Sequence, residues 1–97
     1  MGTLYIIARS PYARKDGYTS LKLAQKGDGV IFIQDAVVAT ERAPEDFGML
    51  MKEKKNKGVN FYVLKPDLEA RAISTDIQTV SYEGFVDLII NYSRVVN

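Results

Sequence analysis

The side chains of this sequence that could bind or transform a ligand fall into three short polar clusters. Arginine and lysine can hold an anion, and carboxylates can exchange protons or accept hydrogen bonds. The clusters are Arg9-Ser10-Pro11 with Arg14 and Lys15, then Gln34-Asp35, and then Lys65-Pro66-Asp67 with Glu69 and Arg71. Each cluster follows a run of apolar residues, which predicts that all three lie at the carboxyl ends of strands, where open parallel sheets bind ligands.

The clusters allow two interpretations. In the functional one, Arg9 and Arg71 clamp an anion while Asp35 or Asp67 acts as a carboxylate acid or base. In the structural one, the two aspartates accept hydrogen bonds from turn and helix-start amides, and the arginines pair with them. The structural interpretation is favoured, because polar residues at strand ends often serve turns.

The sequence contains no cysteine and no histidine. The first absence excludes disulfides, thiolate nucleophiles, persulfide carriage and thiolate-bound zinc, and the second removes the commonest general base and metal ligand. The acidic residues Asp35, Glu41, Glu45 and Asp46 show no specific metal-ligand spacing. Neither G-x-G-x-x-G nor G-x-x-x-x-G-K-[ST] occurs. We therefore expect a chain that is not an enzyme and that binds no cofactor or metal.

Charge and apolar runs limit the partners of the chain. The 97 residues carry 13 basic and 12 acidic side chains, so that no direct nucleic-acid contact is expected. The one basic cluster, Lys52, Lys54, Lys55 and Lys57, could touch an acidic partner or tRNA phosphates, but it is more typical of the solvated end of a helix. The apolar runs are too short to span a membrane and no signal peptide is visible, which predicts a cytoplasmic location.

Continuous apolar runs predict the strands that position the polar clusters. They cover residues 4–8, 30–33 and 59–64, with a weaker strand at 77–80. Such runs are typical of strands with helices on both faces. Helices are expected over 12–25, from Pro44 to Gly58, and briefly after Pro66. This alternation predicts one domain over residues 1–97, with a three-layer α/β/α architecture and a mainly parallel sheet of four to five strands.

The last predicted helix has the clearest amphipathic pattern. Its core-facing stripe follows the spacing i, i+3, i+4, i+7, i+11 through Phe85, Leu88, Ile89, Tyr92 and Val96. Val86 and Ile90 lie beside this stripe and widen the apolar face. A face of this width reflects either deep packing or a subunit interface, and the pattern favours neither.

Five sequence blocks, which occur in order along nearly the whole chain, carry a resemblance to a known family. They are Arg9-Ser10-Pro11, Gly27-Asp28, Gln34-Asp35-Ala36-Val37, Asp67-Leu68-Glu69-Ala70-Arg71-Ala72 and Tyr82-Glu83-Gly84-Phe85-Val86-Asp87-Leu88. With these blocks the chain resembles the DsrH/TusB family of sulfur-relay subunits. The resemblance implies a DsrE-like fold and a place in an assembly similar to the DsrEFH or TusBCD hexamers. Its partners would be cysteine-bearing DsrE/DsrF- or TusC/TusD-like subunits.

The resemblance also implies a function. In Tus-type assemblies a cysteine of the TusD subunit carries the sulfur and the TusB-like subunit is structural, a role that suits a chain without cysteine. The sulfur would serve tRNA wobble uridine 2-thiolation or sulfur oxidation. The alternative is a stand-alone homo-oligomeric binding or regulatory module with the same fold. The candidate residues for contact with a partner or an anion are Arg9, Gln34, Asp35, Asp67, Arg71, Val86 and Ile90.

Two alanines depart from the family pattern. Ala36 and Ala72 stand where the family usually has glycine. Glycine at such strand and helix exits often permits a positive φ. Either the turns of this chain differ, or the glycines are not strictly required.

Overall fold

The computed structural model describes residues 2–97, which form a five-stranded sheet with the order β4-β3-β2-β1-β5. The strands are β1 (Thr3–Ile7), β2 (Gly29–Phe32), β3 (Asn60–Leu64), β4 (Gln78–Val80) and β5 (Arg94–Val96). The helices are α1 (Asp16–Leu23), α2 (Glu45–Asn56), α3 (Lys65–Ala70) and α4 (Tyr82–Asn91), with a 3₁₀ helix at Gln34–Thr40. Every neighbouring pair of strands is parallel. The predicted α/β fold is confirmed.

The sheet buries apolar side chains on both faces. All four residues of β2 are buried, which explains why its sequence shows no polar alternation. On one face Val30 and Phe32 lie in a large core covered by α1, α2, α3 and the 3₁₀ helix. On the other face Ile31 lies in a smaller core with Leu4 and Tyr92, against which α4 packs. The three-layer arrangement follows from these two cores.

The first helix is shorter than the 12–25 range predicted from the sequence. It begins at Asp16, because the chain first makes a turn in which the amides of Ala13 and Arg14 both donate to the carbonyl of Ser10 at 3.0 Å. It ends at Leu23, because the Gln25 amide donates to the Asp28 carboxylate at 2.8 Å rather than continuing the helix. Both boundaries therefore depend on hydrogen bonds that the apolar pattern does not reveal.

The predictions for the middle of the chain hold closely. Pro44 is the residue before α2, and Gly58 follows the helix with a φ of +93°, the left-handed conformation expected of a glycine at a helix exit. The short helix predicted after Pro66 is α3, which has this proline in its first turn. The 3₁₀ helix at Gln34–Thr40 was not predicted.

The last helix does not reach Val96 as its apolar stripe predicted. It ends at Asn91, since Tyr92 turns to an extended backbone with a ψ of 144° and buries its ring in the smaller core. The Ser93 amide then donates to the carbonyl of Gly2 at 3.0 Å, and β5 adds to the edge of β1. Within residues 2–97, no helix is long and apolar enough to cross a membrane.

Candidate functional site

Four of the candidate residues meet where β2 and β3 end. The Asp67 carboxylate accepts the backbone N–H of Gln34 at 2.6 Å, and this contact joins the segments that follow the two strands. The Arg71 guanidinium donates to Asp35 Oδ1, with Nη2 at 3.1 Å, and lies 3.8 Å from Asp67 Oδ1. We call these four residues the strand-end network.

Local structure explains the geometry of the strand-end network. Lys65 begins α3 directly after β3, so that Asp67 stands in the first helical turn and Arg71 follows one turn later. Gln34 has a φ of +50°, in the left-handed region that a residue with a side chain rarely adopts, and the Asp67 carboxylate holds its amide there. Asp67 is only 18 % exposed whereas Asp35 is 76 % exposed. Asp67 is thus the inner anchor and Asp35 the outer partner.

The charged side chains of the strand-end network are paired with one another. Both carboxylates face the single guanidinium of Arg71, and one of them also accepts a backbone amide. This is the arrangement described by the structural interpretation of the sequence. Contact of these residues with an anion or a partner subunit stays a prediction. Such a ligand would compete with the ion pairs that Arg71 already forms with the two aspartates.

Arg9 lies in a different setting. It lines a cavity of about 630 Å³ at the carboxyl ends of β1 and β2, together with Ser20 and Gln34. Its side chain forms no hydrogen bond or ion pair within residues 2–97, whereas nearby Arg14 lies 3.8 Å from Asp16. Arg71 is outside the lining of this cavity. Gln34 belongs both to the strand-end network and to the lining of this cavity, and an anion held by Arg9 and Arg71 together stays a prediction.

The face of α4 that carries Val86 and Ile90 is open to solvent. The helix begins at the cap Ser81, whose Oγ accepts the Gly84 amide at 3.1 Å. None of the ten residues of α4, all of which the structure describes, is buried. Val86 is 52 % exposed and Ile90 is 71 % exposed. Packing within this chain therefore accounts for Phe85 and Leu88, which lie against the smaller core, but not for Val86 and Ile90.

Two tyrosines have contacts that the sequence did not indicate. The hydrogen bond from Tyr18 to Asp46, at 2.7 Å, raises the pKa of Tyr18 to about 12 and lowers the pKa of Asp46. Burial, followed by the contact with the Tyr62 hydroxyl, raises the pKa of Tyr92 to about 12. A phenol with a raised pKa is a weaker proton donor, so these pairs serve packing rather than acid–base chemistry. No sequence signal marks partners that lie 28 or 30 residues apart.

The two alanines that replace family glycines behave differently. Ala72 has a φ of +53°, so the left-handed turn is kept without glycine. Ala36 is buried inside the 3₁₀ helix, and the positive φ of that segment lies at Gln34. Within residues 2–97, no group of three or more acidic, histidine or cysteine side chains could hold a metal ion.

The fold and the site define the class of this protein as a small parallel α/β domain that has no thiol with which to carry sulfur. Residues 9–95 match the family model described as DsrH like protein. The chain is 34 % identical over 95 residues to Protein TusB of Photorhabdus laumondii subsp. laumondii, across 94 % of this chain and 95 % of that protein. Protein TusB of Yersinia pestis and of Yersinia pseudotuberculosis are each 32 % identical over 95 residues, with the same coverage. The chain belongs to the DsrH/TusB family of sulfur-relay proteins, as its resemblance predicted.

Proposed function

We propose that this chain is a non-catalytic subunit of a sulfur-relay complex similar to the DsrEFH and TusBCD assemblies. Persulfide sulfur passes from one thiolate to another, so every carrier in such a relay needs a cysteine. This chain belongs to a relay family and has none. The carrier cysteine would come from DsrE/DsrF- or TusC/TusD-like subunits in the cytoplasm, and the sulfur would serve tRNA wobble uridine 2-thiolation or sulfur oxidation.

The open face of α4 is the observation that carries the proposal. Phe85 and Leu88 hold α4 against the smaller core, while its exposed apolar side suits a surface that another subunit covers. Covering the exposed parts of Val86 and Ile90 would contribute about 3 kcal/mol, roughly a hundredfold in affinity. This contribution is available only in an assembly.

The same face also fits the alternative, a stand-alone homo-oligomer, since α4 could cover its own copy across a two-fold axis. An enzyme that uses Asp35, Asp67 and Arg71 has less support. These three groups are engaged with one another, and the sequence has no cysteine or histidine to supply a thiolate nucleophile or an imidazole base.

The proposal is tested by changing α4 in the tagged protein expressed in its own host. In the double variant Val86→Asp/Ile90→Asp we expect the loss of small co-purifying subunits that bear a persulfide-capable cysteine. The matched control is Leu23→Asp/Met49→Asp, which places the same charges at exposed apolar positions on α1 and α2. Circular dichroism checks that both variants fold.

The comparison of the two variants is decisive. Loss of the cysteine-bearing subunits from the α4 variant alone supports the proposed interface. If both variants retain the cysteine-bearing subunits equally, α4 is not the interface. If the wild type has no cysteine-bearing partner and the α4 variant loses self-association, the homo-oligomer is favoured.

A further inference from the structure

A groove lies at the β4 edge of the sheet, apart from the strand-end network. It has a volume of about 540 Å³ and lies between α2 and the start of β4. Its apolar lining includes Met51, Phe61 and Ile77, and its charged lining includes Lys52 and Lys55. We call it the Lys52–Lys55 groove.

The four lysines of the basic cluster divide into two pairs. Lys54 donates to the carbonyl of Ala24 at 2.9 Å, and Lys57 lies 3.6 Å from Glu53. Lys54 therefore ties α2 to the end of α1, and Lys57 is paired with a residue of its own helix. The side chains of Lys52 and Lys55 form no hydrogen bond or ion pair within the described part of the chain, and both line the groove.

The arrangement of the two free lysines favours an anionic partner. They stand three residues apart on α2, where like charges on one helix face repel. Asp76 also lines the groove and supplies one negative charge, which leaves the lysines in excess. Carboxylates placed between the lysines would relieve the repulsion and gain charge-assisted hydrogen bonds.

The apolar lining favours a peptide over a nucleic acid. Phe61 already stacks on Phe32, with ring planes 9° apart and centroids at 6.2 Å, so one of its faces is occupied within the core. A base would find little free ring to stack on, whereas an aliphatic side chain can fill the space beside Met51 and Ile77. Among residues 2–97, no strand pairs with the outer edge of β4, so its backbone is open to an added peptide.

The groove and the open face of α4 lie on opposite sides of the sheet. Phe61 and Ile77 pack with the larger core, and α4 packs on the smaller one. A subunit bound to α4 therefore leaves the groove accessible. We propose that the Lys52–Lys55 groove binds a partner's acidic peptide segment in which one aliphatic side chain stands between carboxylates.

The test is a titration of the full ¹⁵N-labelled chain with a short synthetic peptide in which one leucine is flanked by glutamates. We expect amide shifts concentrated at residues 51–55 and 76–78. Lys52→Glu/Lys55→Glu should weaken binding roughly tenfold or more. The control Lys22→Glu/Lys65→Glu makes the same charge change outside the groove lining and should alter binding by less than about twofold.

A second peptide, with serine in place of leucine, tests the apolar lining without changing the protein, and should bind roughly tenfold more weakly. Shifts scattered over the surface, or equal weakening by both lysine variants, would overturn the proposal. So would tighter binding of an oligouridylate than of the peptide, which would assign the groove to RNA. Concentration-dependent shifts at the groove without peptide would assign it to a second copy of the chain.

Discussion

Replacing Ala72 by glycine should stabilise this protein. Ala72 is exposed and has a φ of +53°, so its methyl group makes no buried contact while its backbone is strained. The left-handed conformation destabilises the folded state of a residue with a Cβ by about 1–2 kcal/mol, and glycine removes this strain. Glycine also makes the unfolded chain more flexible, which lowers the stability of the folded state by about 0.5–1 kcal/mol. The net gain for Ala72→Gly is therefore about 0.5–1 kcal/mol, which corresponds to a rise in Tm of roughly 3–6 °C.

Ala36→Gly is the matched control at the other position where the family usually has glycine. Ala36 is fully buried in the 3₁₀ helix, outside the left-handed region. Here glycine loses a buried methyl worth about 0.8 kcal/mol and adds about 0.5–1 kcal/mol of unfolded-state entropy, for a destabilisation of about 1.5 kcal/mol. Urea unfolding followed by circular dichroism measures both variants. The reasoning is refuted if Ala72→Gly is less stable than the wild type. It is also refuted if the free energy of unfolding changes with the same sign in both variants.

Three further predictions concern Asp67, Tyr92 and Tyr18, each of which contacts a residue distant in the sequence. Asp67→Ala removes the acceptor of the Gln34 amide and should lower the free energy of unfolding by about 1.5 kcal/mol in urea. Burial raises the pKa of Tyr92 in the folded state from 10.0 to about 12, so the protonated phenol stabilises the fold. This contribution to the free energy of unfolding is complete below pH 10 and is lost as the pH rises towards 12. Tyr92→Phe should therefore reduce the loss of stability in unfolding measured across this pH range. Tyr18→Phe should raise the lowered pKa of Asp46 towards 3.8, as measured by carboxyl NMR, and an unchanged carboxyl titration would contradict the contact.

The sequence predicted the sheet well because burial on both faces leaves a clear mark. A strand such as β2, in which every residue is buried, must be apolar throughout. The 3₁₀ helix left no comparable mark. It starts at Gln34, whose unusual φ is supported by an aspartate 33 residues further along the chain.

The last helix shows how tertiary pairing overrides a local pattern. The apolar stripe continues to Val96, yet the chain leaves the helix at Asn91 to bury Tyr92 and to pair β5 with β1. Valines at the end of the stripe suit a strand as well as a helix, so spacing alone could not place the boundary.

The candidate site was predicted in part. Gln34, Asp35, Asp67 and Arg71 come together at the carboxyl edge of the sheet, where strand ends were expected to bring them. The cavity that Arg9 and Gln34 line could not be foreseen, because it depends on which strands are neighbours.

The basic cluster was interpreted as the solvated end of a helix, and this describes Lys52 and Lys55, which are exposed. The sequence did not reveal the contact of Lys54 with the Ala24 carbonyl or the groove beside Lys52 and Lys55, because Ala24 and residues 76–78 are distant in sequence. Contact with an acidic partner, the other interpretation of the cluster, stays a prediction.

Native mass spectrometry of the tagged protein, purified gently from its own host, shows whether this chain assembles with a sulfur carrier. We expect a complex of small subunits in which at least one partner carries a cysteine with the added mass of one sulfur atom, while this chain carries none. A homo-oligomer or a monomer with no cysteine-bearing partner would contradict the relay function and leave the family membership as a sign of ancestry alone.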